Sequence, residues 1–227
     1  MDNSTKTTAL RRRLNGEEIN ALPLCHYGGK VRIIRSLADL STARPDLTSE
    51  PVLGFDTETR PTFHKGKINA PSLIQLATGQ AVYLIQLNFL AFSQPLAEIL
   101  ANPGQVKAGV AINDDMKQLA VLYDFEPAGL VDIGALARSH KLPAQGLRTL
   151  AANLFARRIS KGPRCSNWSL VELSNRQIAY AATDAWMSRL IFLRMRELGL
   201  APDAARKEGC GALDILAAQE VRGTPDL

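Results

Sequence analysis

Five residues in three separate stretches carry side chains that could do chemistry together: Asp56 with Glu58, Asp115, and Tyr180 with Asp184. The stretch Val52-Leu53-Gly54-Phe55-Asp56-Thr57-Glu58-Thr59 begins as an apolar run with no helical period and ends in two carboxylates two positions apart. On a β-strand, residues i and i+2 point to the same side, roughly 7 Å apart. Two like charges held there repel each other and lose hydration unless something positive lies between them. Oxygen donors suit a hard divalent cation such as Mg2+ or Mn2+. A strand end with two solvated acids is the alternative that this stretch leaves open.

The other acids fall at helical spacing. Tyr180, Asp184, Met187, Ile191, Met195 and Leu198 form one stripe at intervals of three and four, so Asp184 lies on an otherwise apolar or aromatic, core-facing stripe. A buried ionised carboxylate needs a partner or a metal, and Tyr180 is one turn earlier on the same face. A structural Asp–Tyr pair would satisfy the same pattern. In Ile112-Asn113-Asp114-Asp115-Met116, a helix starting at the junction puts Asp115 in line with Leu119 and Leu122, whereas Asp114 aligns with Lys117 and Gln118. Asp115 is therefore the inward acid, and Asp114 is expected to be solvated or to cap the helix. A pair of divalent ions about 3.5–4 Å apart would neutralise the four carboxylates and could bind a phosphodiester.

The elements that must position these groups read as one α/β domain with a mixed sheet. Strands are expected at Val31–Arg35, at the Asp56 stretch, at Leu73–Ala77 and Ala81–Ile85 as a hairpin around Thr78-Gly79-Gln80, and at Val106–Ile112. Helices are expected at about Ser36–Ala43, Leu87–Leu100, Asp114–Tyr123, Val131–Lys141 and Leu147–Phe155. The longest runs from near Ser174 to Leu198, stopped by Gly199. Residues 1–20 are expected to be poorly ordered, 21–205 to form the domain, and 206–227 to be a helical extension or tail.

Composition sets the class. The chain has 227 residues with 46% hydrophobic and 22% charged content, which suits a globular domain with a sizeable core. A net charge of +5 favours a polyanionic partner. Cys25, Cys165 and Cys210 fit neither a disulfide framework nor zinc-ligand spacing, and no apolar run is long enough to span a membrane. The start of the chain is polar, then basic, without an apolar leader, so a cytoplasmic address is expected. No protein partner is identifiable.

Phe55-Asp56-Thr57-Glu58, Asn113–Leu119 and Tyr180-Ala181-Ala182-Thr183-Asp184 resemble, in order, the three motifs of the DEDD 3′→5′ exonucleases, in the form with Tyr four residues before Asp (DEDDy). Gly66-Lys67 with Leu73-Ile74-Gln75-Leu76 matches the second strand region of that family, and Arg164-Cys165-Ser166-Asn167-Trp168-Ser169 looks like the segment before the third motif in Werner-type exonuclease domains. The resemblance, from about Tyr27 to Leu200, implies an RNase H-like fold, two Mg2+ or Mn2+ ions, and stepwise release of nucleoside 5′-monophosphates from a 3′ end. It implies metal-ligand roles for Asp56, Glu58, Asp115 and Asp184, with Tyr180 orienting the attacking water. Asp114 departs from the family pattern and could exchange roles with its neighbour. DNA is the expected substrate, with RNase D-like trimming of RNA as the alternative. Lys65, Lys67, Arg157, Arg158, Lys161 and Arg164 are candidate phosphate contacts, and Phe63 and Trp168 candidate stacking platforms.

Overall fold

Near-continuous burial along the apolar runs builds a six-stranded mixed sheet in the computed structural model, which describes residues 10, 12–62, 69–90, 92–163, 165–202 and 212–222. The strands are β2 (Lys30–Ile34), β3 (Val52–Thr59), β4 (Pro71–Ala77), β5 (Ala81–Gln86), β6 (Val106–Gly109) and β7 (Leu130–Asp132), in the order β2-β5-β4-β3-β6-β7. β4 is antiparallel to both β3 and β5, while β2 runs parallel to β5, β6 parallel to β3, and β7 parallel to β6. A separate two-stranded ladder joins β1 (Cys25–Tyr27) to β8 (Glu220–Arg222).

Two cores lie on the two faces of the sheet. One face packs Leu53, Phe55, Ile74 and Leu76 against α2 (Leu37–Ser49), α3 (Gln94–Leu100) and α4 (Ile112–Tyr123). The other packs Val52, Leu73, Ala77 and Ala108 against α5 (Ile133–Ser139), α6 (Leu147–Phe155) and α7 (Asn175–Glu197). Helix α7 sits closest to the sheet. Gly54 permits this, because a Cβ there would overlap the Ala185 carbonyl oxygen. Arg189 then locks the register: its Nε donates to the Val52 carbonyl at 3.0 Å and its Nη2 to Glu50 at 2.8 Å.

Several sequence expectations shift. Helix α2 runs on to Ser49 through Pro45, because Leu40, Ala43 and Leu47 all bury on one face. The helix expected over 87–100 is only α3, since Pro95 suits a first turn and not a helix interior. Helix α4 begins at Ile112, so β6 is shorter than expected, and Val131 and Asp132 belong to β7, with Asp132 capping α5. Leu122 is half exposed, so the α4 stripe is Ile112, Met116 and Leu119. The α7 stripe is no stripe: every residue from Ala181 to Leu193 is buried, because the helix is covered on its outer side as well.

That cover comes from the chain ends. The segment expected to be poorly ordered contains α1 (Gly16–Ala21), closed by a reciprocal cap between Asn15 and Glu18. The expected tail contains α8 (Ala212–Gln219) and then β8, which returns to pair with β1. Gln219 receives the indole N–H of Trp186 at 2.9 Å, and the Tyr27 amide donates to Thr183 at 3.0 Å. No helix among the described residues is long and apolar enough to cross a membrane.

Candidate active site

The pleat of β3 divides its last residues between the two faces. Gly54, Asp56 and Glu58 point toward α7, and Phe55 and Thr57 toward α4. Asp184, at mid-depth in α7, meets the first set. Asp115, in the first turn of α4, comes from the other face and receives a hydrogen bond from the Thr57 hydroxyl. All four acids, together with Tyr180, line one cleft of about 710 Å³. Asp114 is exposed and is not among the residues lining the cleft, whereas Asp115 is.

Electrostatics single the group out. Burial, followed by repulsion from Asp184, Glu58 and Asp115, holds the Asp56 carboxyl well above the usual carboxylate range, against a 2.9 Å hydrogen bond from the Thr57 amide. Burial raises Asp184 to about 7 despite a hydrogen bond from the Tyr180 phenol and the nearby Arg148 guanidinium. Burial likewise raises Asp115 to about 6. Tyr180 is pushed up by burial and by Asp184, Glu58 and Asp56, and so stays a neutral hydrogen-bond donor. The Cys25 thiol, raised to about 12 chiefly by burial, is inert.

Among the described residues, no three His, Cys, Asp or Glu side chains are gathered closely enough to hold a metal ion as they stand. The donor set nevertheless fits divalent cations. It consists of hard oxygen ligands, and a cation placed between them would offset the repulsion that Asp56 meets from its neighbours.

The basic residues divide differently from the sequence expectation. Arg157 pairs with the buried Glu220 at 2.6 Å, and Arg158 Nε donates to the Leu22 carbonyl at 2.9 Å; both tie the chain ends together. Trp168 is fully buried and packs near Tyr180, so it offers no platform to a base. Lys161 does line the cleft. Lys65, Lys67, Phe63 and Arg164 lie outside the described residues. Sequence reading missed Arg148 in the cleft wall and the role of Thr57. Thr57 could have been noticed as a polar residue between the two acids on the opposite pleat of the motif strand; nothing local marks Arg148.

Comparison with known proteins shows the family. A family model described as 3′-5′ exonuclease matches residues 31–199. The chain belongs to the 3′-5′ exonuclease family, which places it among hydrolases acting on phosphodiester bonds. It is 30% identical over 188 residues to the bifunctional 3′-5′ exonuclease/ATP-dependent helicase WRN of Mus musculus, covering 78% of this chain and 13% of that protein. It is 31% identical over 168 residues to Ribonuclease D of Acidiphilium cryptum, covering 72% of this chain and 42% of that protein. The chain thus spans less than half the length of these relatives. Escherichia coli RNase D superposes with a TM-score of 0.66 at 23% identity over 83% of this chain and 49% of that one, which supports the RNase H-like fold. The EXO domain of Aedes aegypti Nibbler gives 0.66 at 22%, over 83% and 91%.

Proposed function

We propose that this chain removes nucleoside 5′-monophosphates stepwise from the 3′ end of DNA, with two divalent cations, Mg2+ or Mn2+, held by Asp56, Glu58, Asp115 and Asp184. The observation that carries this reading is the meeting of four carboxylates from both faces of the sheet in one cleft, beside a neutral Tyr180. When bound, the two ions supply Lewis acidity toward the scissile phosphate and the leaving 3′ oxygen. Tyr180, held protonated at any physiological pH, cannot act as a base, so its part is to orient the attacking water by hydrogen bonding. Glu58, two residues along the strand from Asp56 on the same face, lines the same cleft and would receive that water's proton. Arg148 and Lys161 furnish positive charge on the cleft wall for the phosphates.

DNA is favoured by the Werner-type segment before Tyr180 and by the similarity to the mouse WRN protein. A second reading, trimming of RNA, is favoured by the similarity to Ribonuclease D. Digestion of 3′-labelled DNA and RNA of one sequence, with Mg2+ or Mn2+ and an EDTA control, separates them: faster loss from DNA is expected, and faster loss from RNA would sink the DNA assignment.

A further inference from the structure

Tyr180 is confined by more than its own helix. Gly162, in the loop after α6, lies against the phenol ring with φ at +48°. A Cβ added there would overlap the Cδ2, Cε2 and Cγ atoms of Tyr180, so only glycine lets this loop close on the ring. The loop is itself tied down. The Gly162 amide donates to the Ser160 hydroxyl at 2.9 Å, and Arg148 Nε donates to the Ile159 carbonyl at 3.2 Å. The fully buried Trp168 borders the same phenol, with ring centres 6.1 Å apart and planes tilted by 35°. Gln177 anchors that segment to the first turn of α7, donating to Ser166 at 3.0 Å and to the Asn167 carbonyl at 3.1 Å.

We propose that Gly162, with Trp168, is a positioning residue that fixes the Tyr180 phenol toward Asp184 and toward the water it orients. This rests on the catalytic reading of Tyr180 given above. The physical reason is geometric. A phenol on a helix can swing about two side-chain torsions, and a displacement of about 1 Å at a reacting centre costs on the order of 100-fold in rate. A loop pressed on the ring removes that freedom, and any side chain at position 162 would displace either the ring or the loop.

The test is a double-mutant cycle on the full chain, with 3′-labelled DNA and Mn2+. Gly162→Ala is expected to lower kcat by about 10–100-fold with KM within about threefold. Gly162→Asn should do the same, because Asn tolerates a left-handed backbone while its Cβ meets the same ring, which separates contact from backbone strain. In a Tyr180→Phe background the hydroxyl is already gone, so Gly162→Ala should cost less than about threefold more. A kcat within about twofold of the parent for Gly162→Ala, or a loss that multiplies with that of Tyr180→Phe, would overturn the proposal. Full activity of Tyr180→Phe would instead overturn the catalytic reading of Tyr180. Thermal melting decides the contact even where variants are poorly active: Gly162→Asn should lower the melting temperature at least twice as much in the parent as in Tyr180→Ala, where the ring is absent. Equal losses in both backgrounds would refute the contact.

Discussion

Asp115 and Asp184 reach the cleft from opposite faces of one sheet, on helices packed in opposite ways. Helix α4 is one-sided: Ile112, Met116 and Leu119 are buried, while Val121 is 86% exposed. Helix α7 is encased between the sheet and the chain ends, and Arg189 bolts it to β3. Asp184 is thus placed by a whole core, whereas Asp115 is placed by one short helix and one hydroxyl, that of Thr57. The difference teaches where rigidity resides in this site. One carboxylate is held within a packed core; the other sits on a one-sided helix with a hydrogen bond from Thr57.

The strongest way to break the comparison is to neutralise each acid in turn. Asp184→Asn and Asp115→Asn should each lower kcat by at least about 10²–10³-fold, since each removes a charge aimed at the reacting phosphate. Their stabilities should diverge: without metal, Asp184→Asn should melt higher than the parent, because it removes the more deeply buried of the two carboxyls, and Asp115→Asn should gain less. Identical melting shifts would remove the contrast between the two helices.

Thr57→Val probes the one-sided helix directly. It should cost about tenfold in kcat at limiting metal, largely recovered at saturating Mn2+, with a stability change of about 1 kcal/mol. Unchanged activity at every metal concentration would mean that Thr57 does not hold Asp115 in its working position.

The two basic groups offer a smaller contrast. Lys161→Met should weaken DNA binding and reduce the slope of log affinity against log salt by about 1, whereas Arg157→Met should leave that slope unchanged and lower the melting temperature by removing the ion pair with the buried Glu220 side chain. A changed slope for Arg157→Met would return Arg157 to the substrate interface.

The smallest effect is on pH dependence. Asp115, raised to about 6, and Asp184, raised to about 7, hold more protons folded than unfolded between about pH 4 and 7, and Asp56, also raised, acts in the same direction. The contribution of Asp115 and Asp184 to stability is therefore fully present below about pH 4 and is lost as pH rises through about 7. Calorimetry of the EDTA-treated protein should show a lower melting temperature at about pH 8 than at about pH 5, and Mn2+ should restore more at the higher pH. A metal-free melting temperature that rises over this range would contradict the raised values.

Much of this was legible along the chain because it depends on local rules. The hairpin of β4 and β5, the paired acids on β3, the inward choice of Asp115 over Asp114, and the Ser174 and Gly199 limits of α7 follow from strand alternation, helix phase and capping. The misreadings share a different cause. Trp168 and Arg157 have the chemistry of base and phosphate contacts, yet the interior claims one and the returning C-terminal segment the other.

The sequence by itself determined the donor set: which carboxylates exist, which side of each element they occupy, and the order of the three motifs. Only the tertiary structure decided that α7 is buried all round from Ala181 to Leu193, that Thr57 meets Asp115 of α4, and that Gly162 closes on Tyr180. The physical reason is range. Alternation and helix phase act over a few residues, whereas these contacts join residues that are distant in the chain, and their neighbours are chosen by packing alone.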